Sequence, residues 1–285
     1  MIIEVIKETL IDALRILPFL FLTYVAMEYL EHQTEDKTAA LVKKSGRLGP
    51  VVGALCGVFP QCGFSTAASN LYAGRVITLG TLFSIYLSTS DEMLPILISE
   101  KAPLSFILKV IGSKILIGLF YGLLIDIVYS KKNSPSGIQI EELCEHENCS
   151  CNAKNQKNSI LYSASKHTIH IMLFLIIITF ALNLIIEIVG PDNLSHFLLN
   201  KPVLGEITAG LIGLIPNCAA SLMLTQLYLR GRMAIGSMMA GLLVGSGVGL
   251  LVLFRVNPSL KENLIITGVL YVNGVLTGIL INLFL

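Results

Sequence analysis

Apolar residues run in blocks along this chain, at roughly 10–30, 48–59, 63–74, 76–98, 103–129, 166–190, 203–215, 219–229, 233–254 and 263–285. The longer blocks exceed the ~18 residues expected of a membrane-crossing helix. None alternates with the period of two that a membrane strand needs, which argues against a barrel. Two polar stretches interrupt the pattern, Glu31–Arg47 and Ser130–Ser165, and the second divides the chain near its middle. The pattern predicts an all-α integral membrane protein with a first membrane repeat at 1–129, a loop at 130–165 and a second membrane repeat at 166–285.

The two halves match. Displaced by 156 residues, Leu48–Tyr129 lies on Leu204–Leu285 without a gap, and 21 of the 82 aligned positions are identical. Chance agreement in so apolar an alphabet is roughly one in ten. The identities go beyond leucine: Gly57, Pro60, Cys62, Ser65, Tyr72 and Gly80 fall on Gly213, Pro216, Cys218, Ser221, Tyr228 and Gly236. Blocks such as 48–59 are too short to span a bilayer, since ~12 helical residues reach ~18 Å against a hydrocarbon core of ~30 Å. Two such arms joined at Pro60–Gly63 predict a Pro-broken helical hairpin in each half. Whether that hairpin counts as no crossing or two, each half has about three or five segments. An odd number inverts the second half relative to the first.

Composition adds the solvent. Hydrophobic residues make up 54% and charged residues 14%, with a mean hydropathy of +0.75; soluble domains carry about 25% charged residues. The lipid bilayer is therefore the main partner. A net charge of +1 gives no hint of nucleic acid. The first block lacks a basic leader and a small-residue cleavage site, so it reads as a retained helix. Eleven loop Lys and Arg fall on the side holding 31–47 and 130–165, and five on the other. That excess predicts a cytoplasmic 130–165 loop and both termini outside.

The candidate chemistry lies in three places. Pro60 and Pro216 each remove an N–H and free carbonyls inside the membrane, so they must line an enclosed or wet cavity. Gln61, Cys62, Ser65, Asn217, Cys218 and Ser221 would share it, with Asn70 facing it from the second hairpin arm. The plainer reading makes cysteine a small apolar filler at a tight turn. The second place is Ser88-Thr89-Ser90-Asp91-Glu92, followed by Pro95 as a third helix break. Adjacent carboxylates in a membrane helix are costly and point to cation ligation or proton coupling. The plainer reading is an ion pair with Lys114. Gly247 and Val248 match the two acids, so the charge belongs to one half. The third place is the loop run with Cys144, His146, Cys149 and Cys151, which suits Zn²⁺ or Cu⁺ but matches no standard zinc finger. Beyond a transported or loop-bound ion no cofactor is implied. No nucleophile–base pair suggests an enzyme. The glycines at 268, 274 and 278 read as small surfaces for close helix packing.

The paired Gly-x-x-Pro-[Gln/Asn]-Cys motifs, the run Ala67–Arg75, the run Leu87–Pro95 and the Cys/His loop resemble the ten-helix heavy-metal exporters of bacteria. Members are described as arsenic efflux proteins or as manganese transporters, and the resemblance covers essentially the whole chain. It implies export of a metal or metalloid across the bacterial cytoplasmic membrane. Arsenite favours thiolates such as Cys56, Cys62 and Cys218, yet Cys56 and Cys62 lie about 240° apart on a helix. Asp91, Glu92, Gln61, Asn217 and Asn70 supply oxygen donors, which a hard divalent cation such as Mn²⁺ prefers. A permease for a small organic or anionic solute and a membrane metal sensor remain as alternatives.

Overall fold

The structure, a computed structural model, describes residues 48–58, 62–90, 93–129 and 203–284, with parts of 6–25 and 165–181. Pro60, Gln61, Asp91, Glu92, Cys144, His146, Cys149 and Cys151 lie outside the described residues, as do the side chains of Cys62 and Cys218. All regular structure among the described residues is helical. The first half contributes α1 (Gly49–Cys56), α2 (Cys62–Ala73), α3 (Leu79–Ser88), α4 (Met93–Ser99) and α5 (Leu104–Tyr129). The second contributes α6 (Leu204–Gly213), α7 (Cys218–Leu229), α8 (Ile235–Val244), α9 (Gly249–Val256) and α10 (Leu260–Phe284). Adding 156 to the limits of α1–α5 reproduces those of α6–α10 to within one residue.

Among the described residues three stretches are long and apolar enough to cross a membrane: Leu104–Val128, Ile235–Val256 and Leu260–Phe284. The second is 83% buried in the protein, against 28% and 33% for the other two, so it is the central one. The outer two present apolar faces, with Leu116, Phe120 and Ile127 on α5 and Leu276, Leu280 and Leu283 on α10 all exposed. Such faces are stable against hydrocarbon chains rather than water.

Packing repeats with the same offset. In the first half α3 lies between α1 and α5, and in the second α8 lies between α6 and α10. Helices α2 and α7 cross to the other half, α2 against α9 and α7 against α4. A buried cluster joins the halves, with Leu82, Phe83, Tyr86 and Leu87 against Leu243, Leu250, Leu253, Ile266 and Leu270.

Two expectations need correction. The blocks 76–98 and 233–254 each read as one segment, yet each is interrupted, between α3 and α4 and between α8 and α9. Pro95 is not the break. It is the third residue of α4, inside the first turn, where its missing N–H would have no helical partner anyway. The interruptions fall instead on polar and glycine runs. Ser88 Oγ donates to the Ser84 carbonyl (2.7 Å) and Thr89 Oγ1 to that of Ile85 (2.6 Å), which competes with the helix ladder. In the second half Gly247 sits at φ +56°, a conformation few other residues accept.

Helices α3 and α5 touch backbone to backbone. A Cβ on Gly80 would lie 2.1 Å from the Gly122 carbonyl oxygen, and one on Gly236 would lie 2.4 Å from that of Gly278. Gly274 is equally crowded, but Gly268 departs from the small-residue surface predicted for it, since a Cβ there meets nothing within 4 Å. Its counterpart Gly112 is open too. Gly80→Ala is therefore expected to destabilise by about 1–3 kcal/mol through overpacking. Gly112→Ala is expected to be neutral or to stabilise by up to about 1 kcal/mol through helix propensity. Thermal unfolding of the detergent-solubilised protein measures both. Equal effects would show that the α3–α5 contact is not as close as described.

Candidate functional site

Helix α6 stops because Pro216 follows. The Leu214 N–H still bonds the Gly210 carbonyl (3.1 Å), after which the Asn217 N–H closes a tight turn on the Ile215 carbonyl (2.7 Å). The Asn217 carbonyl then accepts the Ala220 N–H (3.2 Å) as α7 begins. Asn217 is buried and Ser221 half-buried. A cavity of about 10 Å³ sits against this turn, lined by Gly213, Ile215, Asn217, Ala220, Ser221, Gly241, Gly245 and Gly247. The interruption at 214–217 thus faces the one at 245–248. The glycines permit this closeness, since a Cβ on Gly213 would lie 2.2 Å from the Gly241 carbonyl oxygen. The space holds about one water-sized sphere.

In the first half the corresponding interruptions also meet. Ser90 Oγ donates to the Val58 carbonyl (2.5 Å), and Gly57 packs directly on Ser88. Ser65 is fully buried where α2 crosses α9, its backbone so near Gly249 that a Cβ there would lie 2.8 Å from it. Four residues on, Ser69 Oγ, Tyr86 Oη and the Gly249 carbonyl form a triangle, with Ser69 2.7 Å from each of the others and Tyr86 3.2 Å from the carbonyl, and the two hydroxyl protons serve two of these contacts at a time. Asn70 is drawn into the scaffold. Its Oδ1 accepts from Tyr24 (2.8 Å) and its Nδ2 donates to the Thr66 carbonyl (3.0 Å).

Lys114 is 1% exposed. Its Nζ donates to the Thr89 carbonyl, at the end of α3, and to the Leu242 carbonyl in α8 (2.9 Å). It thereby ties the first-half interruption to the central helix of the second half. The ammonium serves these two backbone carbonyls, while the acids predicted as its partners, Asp91 and Glu92, lie outside the described residues.

Sequence reasoning passed over three acids near helix ends. Asp126 in α5 accepts from Thr78 Oγ1 and from the Gly80 N–H, both at 2.8 Å. Glu206 in α6 accepts from Ser237 Oγ (3.3 Å) and Asn282 Nδ2 (3.1 Å). Glu262 in α10 takes a two-pronged contact from Arg75 (3.1 and 3.2 Å) and a hydrogen bond from Tyr72. The bond to Glu262 raises the Arg75 pKa above its ordinary value. An acid inside an apolar block was the available signal for Asp126 and Glu206, whereas Glu262 lies one residue before its block.

The Arg75 contact has a counterpart at the offset of 156. Tyr72, Arg75 and Glu262 correspond to Tyr228, Gly231 and Phe106, and Phe106 stacks on Tyr228 with centroids 5.4 Å apart and planes 10° from parallel. The two hairpin arms end alike. The Val76 N–H bonds the Leu71 carbonyl (2.8 Å) and the Arg232 N–H bonds the Leu227 carbonyl (3.0 Å). The residue between is left-handed in both, Gly231 at φ +68° and Arg75 at φ +56°. Glycine takes that conformation freely, whereas an arginine there is strained by about 1 kcal/mol.

Lys114→Met keeps the apolar stem and removes the donors. Each carbonyl left bare costs about 1–3 kcal/mol, so a clear drop in thermal midpoint in detergent is expected. A variant as stable as the parent would show that other donors take over at Thr89 and Leu242.

Compared with known proteins, the chain matches a family described as "Putative, 10TM heavy-metal exporter" over residues 1–192 and 155–285, ranges that together span its whole length. No curated protein and no solved structure matches it.

Proposed function

Because the chain belongs to this ten-transmembrane-segment heavy-metal exporter family, we propose that it moves a metal ion across a bacterial cytoplasmic membrane by alternating access. The halves act as inverted-topology repeats, each with a Pro-broken hairpin, and the tips at Pro60–Cys62 and Pro216–Cys218 flank the cargo. The loop 130–165 faces the cytoplasm and both termini face outward. The cargo is a divalent cation such as Mn²⁺. Gln61, Asn217, Ser65 and Ser221 supply neutral oxygens and Asp91 or Glu92 the charge, a donor set suited to a hard ion. The thiols of Cys62 and Cys218 favour arsenite as the second reading. Cys144, His146, Cys149 and Cys151 form a loop that captures or senses the ion.

The pair of closures at equivalent positions carries the alternating-access reading. In inverted repeats, equivalent positions lie at opposite membrane faces. Tyr72–Arg75–Glu262 then closes one face and Phe106–Tyr228 the other. The ion pair is about a third exposed and is worth roughly 0–1 kcal/mol. The aromatic stack is worth about 0.5–1.5 kcal/mol beyond its buried area. Closures of similar, small strength allow either face to open at little cost.

Flux of Mn²⁺, Zn²⁺, Fe²⁺ and arsenite into proteoliposomes tests the cargo. Asp91→Asn, Glu92→Gln and the double change Cys62→Ser/Cys218→Ser are the informative variants. Strong loss in the acid variants with Mn²⁺ flux is expected, while unchanged flux in all three would sink the site assignment. A chain lacking residues 144–151 is expected to keep transporting. Loss of a metal-dependent response without any flux would favour a sensor.

The closures are tested separately, by labelling a cysteine placed at Ser221 in a chain whose six cysteines are serine. Glu262→Gln is expected to raise labelling from the Arg75 face and Phe106→Ala from the Tyr228 face. Increases from the same face in both variants would contradict alternating access.

A further inference from the structure

At one end of the second half, Glu206 is 1% exposed, and its two donors, Ser237 Oγ and Asn282 Nδ2, both go to Oε1. Oε2 is buried with no hydrogen-bond partner. Among the described residues its surroundings offer no counter-charge; Lys201, which precedes α6, lies outside them. Helices α6, α7 and α8 carry no other charged residue. On α10, Lys261 and Glu262 lie about 20 residues from Asn282, roughly 30 Å along the helix. Arg230 and Arg232, in the turn between α7 and α8, are exposed. Among titratable neutral groups, Tyr271 donates to the Ile207 carbonyl (3.2 Å) and Tyr228 stacks on Phe106.

The related end of the first half shows what an ordinary buried acid looks like here. Asp126 is only partly buried, and each of its oxygens has a donor at 2.8 Å. At the offset of 156 its position is held by Asn282, and Thr81 becomes Ser237. The acid has moved across to position 206, where the first half has Pro50. The second half therefore keeps one carboxylate at this end, but on the hairpin arm instead of the long helix, and with one oxygen bare. A charge buried without a partner is so costly that such groups take up a neutralising ion instead.

We propose that Glu206 is a proton-binding site that couples proton movement to the transport cycle, an inference that rests on the transporter reading above. The carboxylate takes up a proton while α6 is packed on α8 and α10, and releases it when that packing opens to water. No bond other than O–H forms or breaks. The placement supplies the coupling: α6 carries Glu206 near one end and runs into the Gly213–Asn217 turn at the other, about 10 Å away. A proton at one end and an ion at the other compete or cooperate through the position of a single short helix.

Infrared difference spectroscopy of the purified full chain during an acid–base titration tests the site without any transported ion. A protonated-carboxyl C=O band is expected in the parent and in Asp126→Asn. It should be lost in Glu206→Gln and shifted but present in Glu206→Asp, which keeps the acid if the glutamine variant folds poorly. Absence of the band in the parent, its survival in Glu206→Gln, or its removal by sodium chloride at constant pH would overturn the proposal. In proteoliposomes an imposed pH gradient should drive Mn²⁺ movement by the parent, and Glu206→Gln should lose that dependence while retaining Mn²⁺ exchange. A pH-driven flux undiminished in Glu206→Gln would refute the coupling role. A parent with the band but no metal flux would refute the transporter reading instead.

Discussion

Inside a bilayer an unpaired carbonyl or amide has no water to turn to, so every interruption of a helix must be closed by protein. This fold interrupts its central helices and its hairpins alike, and most of its polar contacts answer that demand. Ser88, Thr89 and Ser90 fold back onto carbonyls where α3 ends. Lys114 reaches the Thr89 carbonyl from α5 and extends to Leu242 in the other half. Ser69 and Tyr86 also reach the Gly249 carbonyl and so pin the start of α9 to α2 and α3. The interruptions converge because closing them draws them together. That convergence builds an enclosed polar spot around Asn217 and Ser221.

The scaffold is duplicated and the chemistry is not. Glycine contacts survive in both halves, with Gly80 on Gly122 matched by Gly236 on Gly278, because backbone-to-backbone approach tolerates no side chain. Polar positions have drifted freely. Lys114 corresponds to Leu270, Glu262 to Phe106 and Arg75 to Gly231. Arg75 keeps a conformation better suited to glycine, which makes sense if its guanidinium is needed at Glu262 more than its backbone needs relief. A transporter with identical halves would have no preferred direction built into its closures. In the proposed cycle, divergence at equivalent positions is where such a preference enters.

Much of the framework was legible in the sequence. The offset of 156 relates the limits of α1–α5 to those of α6–α10 to within one residue. The internal breaks of the 76–98 and 233–254 blocks were not legible from hydropathy. Ser, Thr and Gly lower the mean too little to split an apolar run, and Pro95, the conspicuous residue, fits the first turn of α4 without harm. Asn70 and Lys114 were picked out for being polar in an apolar setting, but polarity alone does not say whether the partner is a ligand, an acid or a carbonyl. Glu206 and Glu262 escaped notice because acids near the ends of apolar blocks look like solvated flanks. Their burial comes from the neighbouring repeat, which no local pattern encodes.

The size of the cavity bears on how such a site works. About 10 Å³ admits one water or a bare ion, not an ion with its hydration shell. On the proposed reading cargo enters only if α2 or α7 moves, and the two helices are held differently. Helix α2 is fixed to α9 by a hydrogen bond from Ser69 to the Gly249 carbonyl, which Tyr86 of α3 also reaches, and moving α2 would break the first of these. Helix α7 meets α4 through apolar side chains, Ala220 and Leu224 against Met93 and Leu97. Dispersion contacts of that kind can slide without leaving a polar atom unpaired. The α4–α7 seam is therefore the cheaper one to open.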